Sequence, residues 1–133
     1  MLRISIAASL LFVSACSGAD TGAAEQEVAR FHQRLAAGEV DSIWASAGPD
    51  MKKAGTKAEF DAFLNAVRRK LGKVRSTERT GWRVNYGTSG GTVELAYSTQ
   101  FEHGAGTEQF VFSTGEPPAL VGYHVNSPAL ITR

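Results

Sequence analysis

The chain has 133 residues, of which 43% are hydrophobic and 20% charged, with a formal net charge of +1. That length suits one globular domain with one core, and the composition excludes an intrinsically disordered chain. A net charge this close to zero supplies no global field toward nucleic acid, so no nucleic-acid partner is expected.

The first residues form a distinct segment. Arg3 carries one positive charge, and Ile4 to Val13 is an apolar run interrupted by Ser5 and Ser9. A charged start, a short apolar run and small residues after it describe a secretory signal. The run is about ten residues long, against the roughly 20 that a bilayer-crossing helix needs. Val13-Ser14-Ala15-Cys16 follows, and this resembles the bacterial lipobox, an aliphatic residue and two small ones before a cysteine. The resemblance implies cleavage before Cys16, lipid on its thiol and acylation of the new amino group. One acyl chain gives marginal membrane binding, whereas two or more give a stable anchor.

Cys16 is the chain's one cysteine, and the lipobox position accounts for it. The domain must therefore stand on packing without disulfides. Ser17 rather than aspartate follows it, which in lipoproteins of this kind implies the outer membrane, facing the periplasm. The expected organisation is a signal peptide over residues 1–15, the lipidated cysteine with a small polar tether over 16–23, and one domain over 24–133.

Ala24 to Ala37 reads as a helix, with Val28, Phe31 and Leu35 on one face and Gly38 as its cap. A short helix over Val40 to Ala47 carries Ile43 and Trp44 before Gly48-Pro49 breaks it. The third helix opens on Thr56-Lys57-Ala58-Glu59, a capping box in which each side chain satisfies a free backbone N–H of the first turn. Phe60, Phe63, Leu64, Val67 and Leu71 continue at helical spacing, and Gly72 ends it.

From Val74 the period changes to two. Trp82, Val84 and Tyr86 alternate with Arg83 and Asn85. After the Gly87–Gly91 turn, Val93, Leu95, Tyr97, Thr99 and Phe101 alternate with Glu94, Ala96, Ser98 and Gln100. Thr107 to Ser113 and Leu120 to Asn126 complete four strands joined by Gly/Pro-rich turns, an antiparallel meander. The expected class is α+β, three N-terminal helices laid across one face of a four-stranded sheet.

That order, with Phe31, Leu35, Gly38, Trp44, Phe63-Leu64, Arg69, Leu71-Gly72 and the closing Gly122-Tyr123-His124-Val125-Asn126-Ser127, resembles the nuclear-transport-factor-2-like (cystatin-like) superfamily. It is also similar to small bacterial envelope lipoproteins of that fold. The resemblance implies a curved, cone-like sheet around a long helix, and in some relatives an isomerase or dehydratase site with a carboxylate base and a tyrosine donor inside the cone. Dimers through the sheet occur in that superfamily, so a homodimer is one expectation here, although Glu94, Ser98, Gln100 and Gln109 make the exposed face polar.

No catalytic set is assigned from the residues. Tyr97 and Tyr123 are candidate inward donors, but no aspartate follows Asp61, Glu94 falls on the polar face, and no carboxylate base is read beside them. His32 and His124 are read as boundary residues more readily than as bases, and His103 as an exposed turn residue. Three histidines on separate elements make no metal site, so neither metal nor cofactor is expected. Trp44, Tyr97 and Tyr123 are candidate pocket residues, while the aromatics taken one by one, Trp82 and Tyr86 included, are read first as core.

The clearest charge feature is Arg68-Arg69-Lys70, Lys73 and Arg75, continuing to Arg79 and Arg83. It is either a patch for anionic head groups or an acidic partner, or the solvated face of the third helix. The functional expectation is a lipid-anchored periplasmic domain that binds an envelope protein or a small apolar ligand, and the alternative is a small cavity enzyme.

Overall fold

A computed structural model describes residues 21–88 and 90–132. The signal, Cys16 and residues 17–20 of the tether lie outside the described residues. Helix α1 spans Gly22–Ala37, so Gly22 and Ala23, expected in the tether, are helical. The Thr21 hydroxyl donates to Glu25 Oε1 at 2.7 Å, and the Glu25 N–H donates to the Thr21 carbonyl. These bonds draw the first turn back past the expected start. Ala24, Val28, Phe31 and Leu35 are the buried stripe of α1, at the spacing that puts side chains on one helix face.

Helix α2 covers Val40–Ser46. Gly48-Pro49 ends it as expected, but Pro49 also opens a further helix, α3 (Pro49–Ala54). Proline suits a first helical position because its fixed φ is already helical and the N–H it lacks would have no partner there. Helix α4 (Lys57–Leu71) begins on the predicted capping box. The Glu59 N–H donates to Thr56 Oγ1 at 3.2 Å, and the Thr56 N–H donates to Glu59 Oε2 at 2.9 Å. A last turn of helix, α5 (Pro128–Ile131), follows the sheet and is capped by Ser127. The expected three helices are thus corrected to five among the described residues.

The strands are β1 (Val74–Gly87), β2 (Gly90–Phe101), β3 (Gly104–Ser113) and β4 (Leu120–Asn126). They form one antiparallel sheet in the order β1-β2-β3-β4. The class is α+β. The registers are broken between Val74 and Ser76 and between Arg79 and Gly81 on β1, and between Val111 and Phe112 on β3. The break on β3 lets Leu120 and Tyr123, an odd number of residues apart, both be buried, because an inserted residue shifts the alternation of a strand.

The core is the layer between the helices and one face of the sheet. Val93, Leu95, Tyr97, Thr99 and Phe101 of β2 and Phe110 and Phe112 of β3 are buried there. Phe110 is wholly buried, with Phe31 edge-on at 5.1 Å, Tyr123 at 4.9 Å and Tyr97 at 6.0 Å between ring centroids. Burying such a ring contributes roughly 1.5–3 kcal/mol before packing is counted. Helix α2 lies against α1 and α4, α3 against β4, and α5 against α4 and β3.

Two aromatic residues depart from the core assignment. Trp82 is 52% exposed and Tyr86 80% exposed. Both lie on β1, an edge strand, and Tyr86 stands level with Ala23 and Ala24 at the very start of α1. The alternation is correct, but among the described residues the helical cover runs out at the start of α1, level with this part of the strand.

Candidate functional site

The centre of the fold holds a buried carboxylate. Glu108 sits on β3 in phase with Phe110 and Phe112, so the alternation of the strand sends its side chain into the core. It is only 2% exposed. Tyr97 lies opposite it on β2, and its remaining inner-face neighbours supply donors. Thr99 donates its hydroxyl to Glu108 Oε1 at 2.6 Å, and Tyr123 donates to Oε2 at 2.6 Å. From α1, His32 Nε2 reaches Oε1 at 3.0 Å and Oε2 at 3.1 Å. A charged group buried without such partners would be strongly unfavourable, and here both oxygens are occupied.

The electrostatics follow from that geometry. Burial pushes the Glu108 carboxyl up, but the His32 hydrogen bond and charge, with the Thr99 and Tyr123 bonds, outweigh it. The net position is below the ordinary carboxylate range. The Tyr123 hydroxyl is pushed far up by burial and then by the neighbouring carboxylate, and so stays a donor. Tyr97 is also pushed up, chiefly by burial.

This corrects the expectation that no carboxylate stands beside the inward tyrosines. Glu108 does, and the signal that reveals it is its spacing of two and four residues from Phe110 and Phe112. It also moves His32 from a boundary residue to a part of the core network. His124 is exposed opposite Gln109, and His103 is exposed after β2.

His32 is the member of the network that reaches outward. Its side chain is 12% exposed and forms part of the lining of a cavity of about 240 Å³ between the second half of α1, the end of α4 and the start of β1. Arg68, Arg69 and Lys73 line the same cavity, with Glu102 from the end of β2. A broader groove continues from it past His32 and Lys73 to Arg75 and Tyr97.

Two glycines shape the cavity's surroundings. Gly38 caps α1 at φ 76°, with the Arg68 guanidinium so near that a Cβ there would stand 3.2 Å from it. Gly72 ends α4 at φ 73°, and a Cβ there would stand 2.9 Å from Glu102 Cβ, an impossible contact. Both positions need the left-handed backbone that glycine adopts without strain.

The predicted basic run is therefore divided. Arg68, Arg69, Lys73 and Arg75 face this cavity and groove, whereas Lys70 donates to the Leu130 carbonyl at 2.6 Å and ties α4 to α5. The predicted pocket residues are not gathered into one site. Trp44 packs on Phe60, with ring centroids 5.2 Å apart, Tyr123 belongs to the buried network, and Tyr97 borders the groove.

With this geometry in place, comparison with known families assigns the chain. The family described as "Protein of unknown function (DUF4019)" matches residues 27–123. The chain belongs to the DUF4019 family. The match spans His32, Thr99, Glu108 and Tyr123, the whole buried network, together with the cations of the cavity, and it begins after Cys16. No curated protein matches the sequence. Among the described residues no helix is long and apolar enough to cross a membrane, and no group of histidine and acidic side chains could hold a metal ion.

Proposed function

We propose that this DUF4019 chain is a bacterial lipoprotein, anchored in the envelope by lipid on Cys16 and facing the periplasm from the outer membrane. Its domain is a non-enzymatic binding module, and its binding site is the cleft floored by His32. The lipobox-like Val13-Ser14-Ala15-Cys16 supports the anchor. The nuclear-transport-factor-2-like cone belongs to the same reading, supported by the order of helices before a meander and by the three breaks in strand register.

The observation that carries the binding reading is the saturation of Glu108. A cavity enzyme of the isomerase type needs its carboxyl group within reach of substrate, within about 2.6–3.2 Å of the proton it takes. Here the Glu108 carboxylate, the one acidic side chain buried in the core among the described residues, is sealed below the cleft and holds three protein donors. It fixes His32, α1 and the sheet as one rigid floor, and preorganisation of that kind favours binding.

Metabolic labelling with a radioactive fatty acid tests the anchor. The wild-type chain takes up label and fractionates with membranes, and Cys16→Ser takes up none and is released. Label retained by Cys16→Ser removes the anchor from the account.

A further inference from the structure

We infer that the His32 cleft is a site for a small phosphomonoester in solution, a ligand class that rests on the binding reading above. The first support is the state of the cations. Arg30 pairs with Glu27, Lys57 with Asp41 and Asp61, Arg79 with Glu25 and Arg83 with Glu94. Arg34 and Lys52 donate to Ser46 and the Ala45 carbonyl, and Lys70 to the Leu130 carbonyl. Among the described residues, the lysine and arginine side chains left without a hydrogen bond or ion pair are Lys53, Arg68, Arg69, Lys73 and Arg75. All but Lys53 line the cleft and its groove.

Unpaired cations gathered on one concavity repel one another, and an anion placed between them removes that repulsion. The cavity sets Arg68, Arg69 and Lys73 against the single carboxylate of Glu102, whose Oε1 is held by the Lys73 backbone N–H at 2.7 Å. His32 adds an imidazole whose Nε2 is committed to Glu108 and whose ring forms part of the cleft lining. Two guanidinium forks with an ammonium group match the several oxygens of a phosphate better than the two of a carboxylate.

Size and lining define the rest of the ligand. About 240 Å³ lies below the roughly 300–1,000 Å³ of clefts that take drug-sized molecules. Leu35, Val74 and Phe101 form an apolar wall beside the cations. A phosphate on a small, partly apolar body suits both parts.

The position of the cleft favours a soluble ligand over a lipid head group. The described chain enters α1 at Thr21, and His32 to Ala36 lie on its second half. At 1.5 Å per residue that is about 15–21 Å from the point where a membrane tether would join.

The test uses the full chain carrying Cys16→Ser, purified in non-ionic detergent and titrated calorimetrically with inorganic phosphate and glycerol 3-phosphate. Acetate at equal ionic strength is the reference. Saturable phosphate binding is expected, weakened at least tenfold in Arg68→Gln/Arg69→Gln and in Lys73→Gln, and unchanged in Lys53→Gln. Urea midpoints equal to that of the parent chain show that the variants are folded. Phosphate binding no tighter than acetate, or equal loss in Lys53→Gln, overturns the site. Separately, the chain is sedimented with phosphatidylglycerol vesicles. Vesicle binding that depends on Arg68 and Arg69, without binding of soluble phosphate, overturns the soluble ligand in favour of a head group. Since every arm uses the Cys16→Ser chain, failure here is distinct from failure of the anchor.

Discussion

Tyr123 on β4 donates its hydroxyl to Glu108 on β3 at 2.6 Å, and the same carboxylate holds His32 of α1 at 3.0 Å. One buried side chain thus joins the last strand, the third strand and the first helix. Removing its charge leaves three donors facing a neutral amide. Glu108→Gln is expected to lower the unfolding free energy by roughly 2–4 kcal/mol, as breaking one partner of a buried charged network does. Tyr123→Phe, which removes one donor, is expected to lower it by about 1–3 kcal/mol. Urea unfolding near pH 7 measures both, and a Glu108→Gln protein as stable as the wild type contradicts the role given to the network.

The same group sets an acid limit. Because the Glu108 carboxyl titrates lower when folded than when unfolded, its contribution is fully present above the ordinary glutamate range. It is lost as pH falls through that range toward the folded value. Stability of the wild type is therefore expected to drop more steeply between about pH 5 and pH 3 than that of Glu108→Gln. Thermal unfolding across that interval compares them, and parallel profiles rule the linkage out.

Phe110 packs against rings from α1, β2 and β4, so the hole left by its removal cannot be filled by one neighbour. Phe110→Ala is expected to reduce stability by about 3–5 kcal/mol. A loss below about 1 kcal/mol in denaturant melts indicates that the helices do not pack on the sheet as described.

The capping box makes a smaller, local claim. Thr56→Ala removes the acceptor of the Glu59 N–H at the start of α4, and a loss of about 1 kcal/mol is expected. Hydrogen exchange reads this most directly, with faster exchange confined to the first turn of α4. Exchange unchanged at Glu59 speaks against the cap.

Much of the architecture is written in local patterns. The stripe Val28, Phe31, Leu35, the Thr56–Glu59 box and the alternation of β2 each depend on residues a few positions apart, and each yields its element. Pro49 shows a limit of such reading, since the same residue ends one helix and starts another. Trp82 and Tyr86 show a second, because periodicity assigns a face but not what covers it. Glu108 was legible by phase with Phe110 and Phe112, yet glutamate at the polar-looking start of a strand reads as solvent-exposed. The hydrogen bonds of His32 to Glu108, and the gathering of His32, Arg68 and Arg69 around one cavity, join residues distant in the chain. No local pattern encodes that arrangement, and the proposed site rests on it.

The central claim is that His32, Arg68, Arg69 and Lys73 form one anion-binding cleft above the Glu108 network. Nitrogen-15 and proton NMR of the side chains during a glycerol 3-phosphate titration tests it most directly. Saturable, concerted shifts are expected in the Arg68 and Arg69 guanidinium and His32 imidazole signals, with Lys53 and Arg83 unmoved. Shifts spread evenly over all basic side chains, without saturation, contradict the cleft and leave only weak surface attraction.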